Sequence, residues 1–228
     1  MEYLLTLLLL FSQNVSQTQL IKPKYTVQDI PKNLSTKEKK KRFLYLVLPS
    51  AQSVHDDWMQ RYIKIKEDIQ KGNNTQTIEA LKKHYNATDN ENLLARLKPH
   101  PVSITLAQAA MESSWATSRF FLEANNIFGM WSTNAKEPRI AAQEQRGGNF
   151  TVWLRKFDTI YDSIEAYYEL MATAKAYAKF RKLRLETDDP FIITQGLEHY
   201  SELGQAYIDE INSVIRHNNF TQYDRKKE

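Results

Sequence analysis

The chain of 228 residues contains no cysteine and only six glycines. Without cysteine it has no disulfide, no thiolate metal site and no cysteine nucleophile. Six glycines leave little room for a glycine-rich loop that cradles phosphate groups, and the sequence has none. These absences remove cysteine-dependent catalysis and phosphate-loop chemistry from the functions to be considered.

Motifs for metal binding and serine hydrolysis are also missing. The five histidines are scattered along the chain and form no H-E-x-x-H pair, so no metal and no other cofactor is expected. The sequence has no G-x-S-x-G elbow. A Ser–His–Asp triad assembled from distant residues stays open as an alternative.

Residues 1–17 carry an apolar run from Tyr3 to Phe11. The run is too short to span a bilayer, which needs about 20 residues, but it has the length of the apolar part of a secretory signal. Glu2 stands where such a signal normally has a basic residue, and no clear cleavage site follows. We therefore interpret residues 1–17 as a signal-like segment whose cleavage the sequence leaves open.

The overall composition is that of a globular protein, with 42% hydrophobic and 25% charged residues. The length suits one sizeable core, with or without a small appendage. The net charge is +4, and a basic balance favours acidic partners. Nucleic acid, anionic lipid and anionic cell wall all meet that condition, so charge alone does not choose among them.

Hydrophobic periodicity predicts a linker followed by helices. Residues 18–36 contain two prolines and little periodicity, which is typical of an extended linker. In residues 37–98 the pattern predicts helices, and Pro49 is expected to kink or break the first of them. The helix that follows Pro49 is expected to stop at Gly72. Two shorter helices are predicted at 75–85 and 90–97.

The second half begins with a rigid turn at Pro99 and Pro101, followed by an apolar helix with Ser103 as its expected N-cap. Residues 132–156 alternate in polarity around Gly147 and Gly148, which predicts a small β-hairpin. Further helices are predicted at 158–178, 189–200 and 205–218. The polar residues 221–228 are expected to fray.

Glu112 stands at the end of the apolar helix, and its surroundings allow two interpretations. The apolar face of that helix is formed by Ile104, Ala107, Ala110 and Met111. In one interpretation Glu112 is an ordinary solvated glutamate. In the other it is a half-buried acid beside Trp115, whose pKa desolvation raises so that it keeps a proton near neutral pH.

Five stretches of the second half carry a recognisable set of motifs: AQAAMESSW at 107–115, SRF at 118–120, NNIFGMW at 125–131, FDTIYDSIEAY at 157–167 and YSELGQAY at 200–207. In this order they resemble glycoside hydrolase family 73, whose members cut bacterial peptidoglycan. The sequence is most similar to the Bax-type branch of that family and is also similar to the flagellar rod peptidoglycan hydrolase module. The resemblance extends over residues 40–220, and Ala116 stands where the family usually has glycine. Because alanine favours helix, that departure is expected to be mild.

The resemblance implies a mainly α, lysozyme-like helical domain in which a small β-hairpin lobe flanks a groove. Residues 99–220 would be the glucosaminidase catalytic module. The implied activity is that of an endo-β-N-acetylglucosaminidase that cleaves the β-1,4 bond after N-acetylglucosamine in peptidoglycan. The implied partners are peptidoglycan glycan strands and not nucleic acid.

Peptidoglycan lies outside the cytoplasm, so we expect export to the periplasm or envelope of a bacterium. Peripheral membrane contact through residues 1–17 stays open. Two alternatives to the implied activity also remain: a muramidase or lytic transglycosylase on the same fold, and a non-catalytic wall-binding module.

The resemblance also implies roles for individual residues. Glu112 would be the general acid, with Trp115 in its apolar wall. A second carboxylate would be Glu144 or, less favourably placed, Glu137, unless the N-acetyl group of the substrate itself assists the reaction. Tyr200 would line the catalytic site. The substrate-binding residues would be Trp115, Asn126, Phe128 and Trp131, and the last three of these would shape the sugar subsites.

Overall fold

The computed structural model describes residues 24–30, 33–142 and 151–224. The described chain is mainly helical, and a two-stranded antiparallel sheet is inserted between the fifth and sixth helices. The prediction of a mainly α fold with a small β-hairpin lobe is therefore confirmed. The signal-like segment, residues 1–17, lies outside the described residues.

The helices are α1 Thr36–Lys71, α2 Thr75–Tyr85, α3 Asn90–Leu97, α4 Val102–Glu112, α5 Arg119–Ala124, α6 Ile160–Thr173, α7 Ala178–Glu186, α8 Pro190–Ile193 and α9 Gln205–His217. The strands are β1 Arg139–Ala141 and β2 Trp153–Arg155. Short 3₁₀ turns occur at Lys175–Tyr177, Thr194–Gly196 and Phe220–Tyr223. No helix in the described part of the chain is both long enough and apolar enough to cross a membrane.

Helix α1 is one continuous helix of 36 residues, so the expected break at Pro49 is wrong. Buried residues at three- and four-residue steps continue on both sides of the proline, and that face packs against α3, α4 and α6. Pro49 itself is exposed, so water can reach the carbonyl group that its ring leaves unbonded. The helix ends as predicted at Gly72, whose φ of 67° lies in the left-handed region.

Helix α4 lies at the centre of the fold, because every residue from Val102 to Ala110 is buried. Its N-cap position is occupied by Pro101, so the prediction that Ser103 caps the helix is wrong. The backbone N–H and the hydroxyl of Ser103 instead each donate a 2.7 Å hydrogen bond to Asp224. A carboxylate near a helix N-terminus is favoured by the helix dipole, so Asp224 serves as the cap from a distant part of the chain.

The β-hairpin lobe is a minimal sheet of three paired positions. Arg139 pairs with Arg155, Ile140 with Leu154, and Ala141 with Trp153. The connection between the strands, which includes the predicted turn at Gly147 and Gly148, lies outside the described residues. The lobe is tied to the loop after α5, because the N–H of Arg155 donates to the carbonyl of Met130 over 3.0 Å.

The C-terminal third contains shorter helices than the periodicity predicts. Helix α6 stops at Thr173 because Ala174 has an extended backbone, and the helix predicted at 189–200 is only the four-residue α8 followed by a 3₁₀ turn. At Gly196 an added Cβ would lie 2.3 Å from the Cα of Phe180, so this close approach requires glycine. Helix α9 lies within one residue of its predicted bounds. Phe220 is buried, and the chain remains packed against α4 as far as Asp224.

A fully buried arginine ties the N-terminal segment to α1 and to the turn after α4. Arg42 donates from Nη1 to the carbonyl of Ala116 over 2.7 Å. From Nη2 it donates to the carbonyls of Thr26 and Val27 over 2.8 and 2.6 Å. Burial lowers the pKa of Arg42, and nearby Asp29 partly offsets that effect. Residues 24–30, within the predicted linker, are therefore docked onto the helical domain.

The Arg42 fork leads to a prediction about stability. In Arg42→Lys a single ammonium group replaces a planar fork, so it cannot serve three carbonyl groups in two directions. We expect the free energy of unfolding to fall by about 2 kcal/mol, because buried acceptors lose their donors. Urea unfolding followed by circular dichroism measures the change. Lys41→Ala, at the exposed neighbouring position, is the control and should change stability by less than about 0.5 kcal/mol.

Candidate active site

Glu112 is the last residue of α4, and its carboxyl group is held by a tyrosine from α9. Tyr207 Oη donates a 2.9 Å hydrogen bond to Glu112 Oε1. The residue is exposed at its edge, yet packed protein around the carboxyl group desolvates it and raises its pKa. The hydrogen bond from Tyr207 lowers the pKa, and the charge of Glu210 raises it. The C-terminal end of the α4 dipole also disfavours a negative charge there.

Three tyrosines form the aromatic side of the site. The rings of Tyr200 and Tyr207 are stacked, with centroids 5.2 Å apart and planes 10° apart. Tyr177 lies beyond Tyr200, with a centroid distance of 5.9 Å. Burial and the charge of Glu112 raise the pKa of all three hydroxyl groups. These tyrosines therefore stay protonated at neutral pH and can act as hydrogen-bond donors.

The turn that follows Glu112 is left-handed. Ser114, Trp115 and Ala116 all have positive φ, with values of 52°, 63° and 61°. The hydroxyl of Ser113 accepts from the N–H of Ala116 over 2.8 Å, and Arg42 binds the Ala116 carbonyl group. The family's usual glycine thus corresponds to a left-handed position, where alanine costs about 1 kcal/mol more than glycine. The expectation that helix propensity makes this departure mild is wrong, because Ala116 is not helical.

Trp115 faces the interior on the α1 side of this turn. Its ring packs edge-on against Phe43 at 5.3 Å and lies 6.2 Å from Phe220, and Lys40 Nζ lies 4.9 Å from its centroid. Phe43 and Trp115 therefore anchor the left-handed turn to α1. The prediction that Trp115 contributes to the apolar wall of Glu112 stays a prediction.

The predicted subsite residues lie on the loop between α5 and β1. The amide group of Asn126 donates to the carbonyls of Met130 and Arg155, both over 2.9 Å, and accepts from the N–H of Met130 over 2.8 Å. Asn126 thus fixes the shape of the loop. Phe128 is buried and stacks on Tyr167 with centroids 4.1 Å apart. Trp131, in contrast, is 67% exposed beside the β-lobe.

The two candidates for the second carboxylate are placed differently. Glu137 lies before β1, and its Oε2 is 3.4 Å from Nε of Arg155 in an ion pair. Glu144 lies outside the described residues, and its role stays a prediction. The described ranges contain no group of three histidine, aspartate or glutamate side chains that could hold a metal ion.

Tyr207 and Gln108 also lie in the site, although the sequence motifs predicted no role for either of them. Gln108 Nε2 donates to Tyr207 Oη over 3.2 Å, directly behind the bond from Tyr207 to Glu112. Gln108 lies four residues before Glu112, in the part of α4 that is completely buried. A polar side chain one turn before the acid, on an apolar helix, is the sequence signal that indicates such a partner.

The desolvation of Glu112 predicts that its carboxyl group lowers the stability of the folded protein at neutral pH. Because the folded-state pKa is raised above the ordinary value of 4.5, ionisation opposes folding, and this cost grows as the pH rises from the unfolded pKa through the folded one. We expect Glu112→Gln to raise the melting temperature by about 1–3 °C at pH 7. The gain should disappear below about pH 4, where the carboxyl group is protonated in both states.

Differential scanning calorimetry at several pH values measures this difference. The control is Glu67→Gln, which removes the same charge from the exposed face of α1, where Glu67 pairs with Lys71 over 3.2 Å. A gain for Glu112→Gln that is equal at pH 4 and pH 7 would contradict the role of desolvation.

Comparison with known proteins identifies residues 89–220 as a match to the family model described as mannosyl-glycoprotein endo-beta-N-acetylglucosaminidase, the glucosaminidase domain. Protein bax of Escherichia coli strain K12 is 29% identical over 132 residues, which are 55% of this chain and 46% of that protein. The exo-glucosaminidase LytG of Bacillus subtilis strain 168 is 26% identical over 129 residues, which are 54% of this chain and 45% of that protein. The chain thus spans about half the length of these curated relatives.

Two solved structures share the fold. The catalytic domain of the autolysin Auto from Listeria monocytogenes superimposes with a TM-score of 0.55 at 18% identity, over 84% of this chain and 90% of that one. An N-acetylmuramoyl-L-alanine amidase from Staphylococcus aureus gives a TM-score of 0.53 at 17% identity, over 83% of this chain and 45% of that one. The family match covers more than half of the chain and contains Glu112, Tyr200 and Tyr207, and this protein therefore belongs to the glucosaminidase family.

Proposed function

We propose that this protein is an endo-β-N-acetylglucosaminidase that hydrolyses the β-1,4 bond after N-acetylglucosamine in peptidoglycan, with Glu112 as the general acid. The observation that carries the proposal is the state of Glu112, a desolvated carboxyl group at the end of α4 that is hydrogen-bonded by Tyr207 within the family match. The activity named for LytG supports the same class of reaction.

The raised pKa of Glu112 suits the first step of glycosidic cleavage. Cleavage needs a proton on the leaving oxygen, while positive charge develops at the sugar carbon. A carboxyl group whose pKa burial raises holds its proton to a higher pH than a solvated glutamate does, which suits it to deliver that proton. Tyr207 then stabilises the carboxylate that remains, because its hydroxyl group already donates to Oε1.

For the second catalytic group we favour Glu144. Glu137 forms an ion pair with Arg155, and the positive charge of that arginine partly neutralises its carboxylate. This makes Glu137 the weaker candidate for a catalytic carboxylate. Tyr200, stacked on Tyr207, is our candidate for orienting the substrate N-acetyl group or the attacking water. A substrate-assisted route, in which the N-acetyl group supplies the second function, would need no second carboxylate.

The sugar subsites in this proposal lie beside the β-hairpin lobe. Trp131 is 67% exposed, so its ring is available to stack on a pyranose face. Phe128 is buried against Tyr167 and would support the subsite from beneath, while Asn126 holds the loop that presents both aromatic rings. The net charge of +4 favours an anionic polymer as substrate.

The proposed substrate places the protein outside the cytoplasm. We propose export to the periplasm or cell envelope of a bacterium, because peptidoglycan is found there. The apolar run in residues 1–17 supports export through its signal-like length, and contact with the membrane surface through the same run is part of this proposal.

Digestion of purified peptidoglycan tests the activity and the acid together. Products are reduced with borohydride and identified by mass spectrometry. We expect the wild-type protein to release fragments with reduced N-acetylglucosamine ends. Glu112→Gln should lower the rate by about 10²–10⁴-fold, the usual contribution of a general acid. Glu67→Gln, which removes an exposed charge from α1, should retain the wild-type rate.

Other products would identify the alternatives. Reduced or anhydro muramic ends would show that the protein is a muramidase or a lytic transglycosylase on this fold. Binding to the cell wall without any released fragment would contradict the proposed activity and indicate a non-catalytic wall-binding module. Equal rates of digestion by the wild type and Glu112→Gln would show that Glu112 is not the general acid.

A further inference from the structure

A chain of hydrogen bonds runs from Glu112 through the core to a buried histidine. Tyr207 Oη donates to Glu112 over 2.9 Å, and Gln108 Nε2 donates to Tyr207 Oη over 3.2 Å. Tyr167 Oη donates to Gln108 Oε1, and His100 Nε2 lies 3.4 Å from Tyr167 Oη. His100, Gln108 and Tyr167 are fully buried, and Tyr207 is nearly so. Water therefore has little access to the interior members of the chain.

The direction of every bond follows from the ionised form of Glu112. A carboxylate only accepts, so Tyr207 uses its single proton for Glu112 and must accept from Gln108. The amide of Gln108 then points its oxygen at Tyr167, which must donate to it. Tyr167 has no further proton, so its contact with His100 requires a proton on His100 Nε2.

The surroundings of His100 also favour the tautomer that carries its proton on Nε2. Nε2 lies 3.0 Å from Thr105 Oγ1, whereas Nδ1 is buried without a hydrogen-bond partner in the described part of the chain. A proton on Nδ1 would be an orphaned donor in the core, and such donors are rare and costly. Burial also lowers the pKa of His100, with smaller effects from Arg184 and His55, so the ring stays neutral.

We propose that Gln108, Tyr167 and His100 are positioning residues that hold Tyr207 as a hydrogen-bond donor to Glu112 and thereby favour the ionised form of the acid. Reversing the chain would let protonated Glu112 donate to Tyr207, but it would leave the proton of His100 on the unpartnered Nδ1. The hydrogen bond that these residues hold in place lowers the pKa of Glu112, whereas desolvation raises it. This inference rests on the proposed role of Glu112 as the acid.

The groups that act on Glu112 come from three elements. Glu210 and Tyr207 belong to α9, Tyr200 to the segment before it, and Tyr177 to the 3₁₀ turn before α7. Among these neighbours, Glu210 and burial raise the pKa of Glu112, and the bond from Tyr207 lowers it. Around His100 the facing groups are His55 on α1, Tyr167 and Tyr168 on α6, and Phe180 and Arg184 on α7.

Tyr167→Phe tests the proposal, because it keeps the ring that stacks on Phe128 and removes the oxygen between His100 and Gln108. The Gln108 amide is then free to rotate, and Tyr207 loses its fixed role as a donor. We expect the pKa of Glu112 to rise by about half a unit to one unit, a fraction of what a full charged hydrogen bond contributes. Tyr207→Phe, which removes the donor itself, should raise it at least as much.

The direct readout is the carbon-13 NMR titration of the Glu112 carboxyl group in protein labelled at glutamate, with the resonance assigned from Glu112→Gln. The alkaline limb of the pH–rate profile on peptidoglycan should move upward by the same amount. The matched control is Tyr85→Phe, which removes a buried tyrosine hydroxyl that also bonds to α6. That hydroxyl donates to Glu169 over 2.9 Å and contacts no member of the path to Glu112, so this variant should titrate like the wild type.

Two results would overturn the proposal. One is an unchanged Glu112 titration in Tyr167→Phe while Tyr207→Phe shifts it, since the chain would then end at Tyr207. The other is an equal shift in Tyr167→Phe and Tyr85→Phe, which would indicate a general loosening of α6. If Tyr167→Phe fails to fold, Gln108→Met, which removes both amide contacts at nearly constant volume, takes its place with the same expected direction.

The titration requires no turnover, so it separates this proposal from the proposed function. A shifted Glu112 titration in Tyr167→Phe together with an inactive wild type would support the positioning role of these residues and contradict the proposed peptidoglycan hydrolase activity. An active wild type together with an unshifted Glu112 titration in Tyr167→Phe would support the proposed activity and contradict the positioning role.

Discussion

The burial of α4 on all sides is the constraint on which the rest of the structure depends. Each polar side chain between Val102 and Ala110 has left water and must find its partner inside the protein. Ser103 binds Asp224, Thr105 binds Tyr168 and contacts His100, and Gln108 lies between Tyr167 and Tyr207. Asp224 follows the C-terminal 3₁₀ turn, His100 precedes α4, and the tyrosines come from α6 and α9. The polar residues of one apolar helix therefore determine how three other elements are oriented around it.

The same helix delivers Glu112 to the surface at the point where the chain must leave the core. Three consecutive left-handed residues make that exit, and such a backbone persists only where the surroundings hold it. Here the hydroxyl of Ser113, the guanidinium of Arg42 and the packing of Trp115 on Phe43 provide the support. Arg42 also binds residues 26 and 27, so the N-terminal segment and the turn beside the candidate acid share one buried group.

A carboxyl group in this position is costly for the fold and useful for the chemistry. Desolvation and the end of the α4 dipole both oppose its ionisation, and a protein selected for stability alone would avoid them. The hydrogen bond from Tyr207 limits the cost without removing it. In the proposed role of Glu112 as the acid, the site balances a proton that must be kept until it is needed against a carboxylate that must be stable once the proton has gone.

Much of this architecture is readable from local pattern. Periodicity indicates α2, α3 and α9 to within a residue, Gly72 ends α1 where expected, and the alternation around residues 139–155 indicates the hairpin. These features depend on residues a few positions apart, which a sequence displays directly. The resemblance to a known family adds Glu112 as the candidate acid, because its motif is contiguous.

Only the tertiary structure decided how residues far apart in the chain meet. Pro49 remains within a helix because distant elements pack along both of its halves, and Ser103 is capped by a residue 121 positions away. Of two tyrosines seven residues apart, Tyr207 reaches Glu112 while Tyr200 stacks behind it. The amide of Asn126 is used within its own loop. The sequence by itself thus determined most of the helices, the hairpin and the candidate acid, whereas the direction in which each buried polar group points depended on packing between segments that no local pattern records.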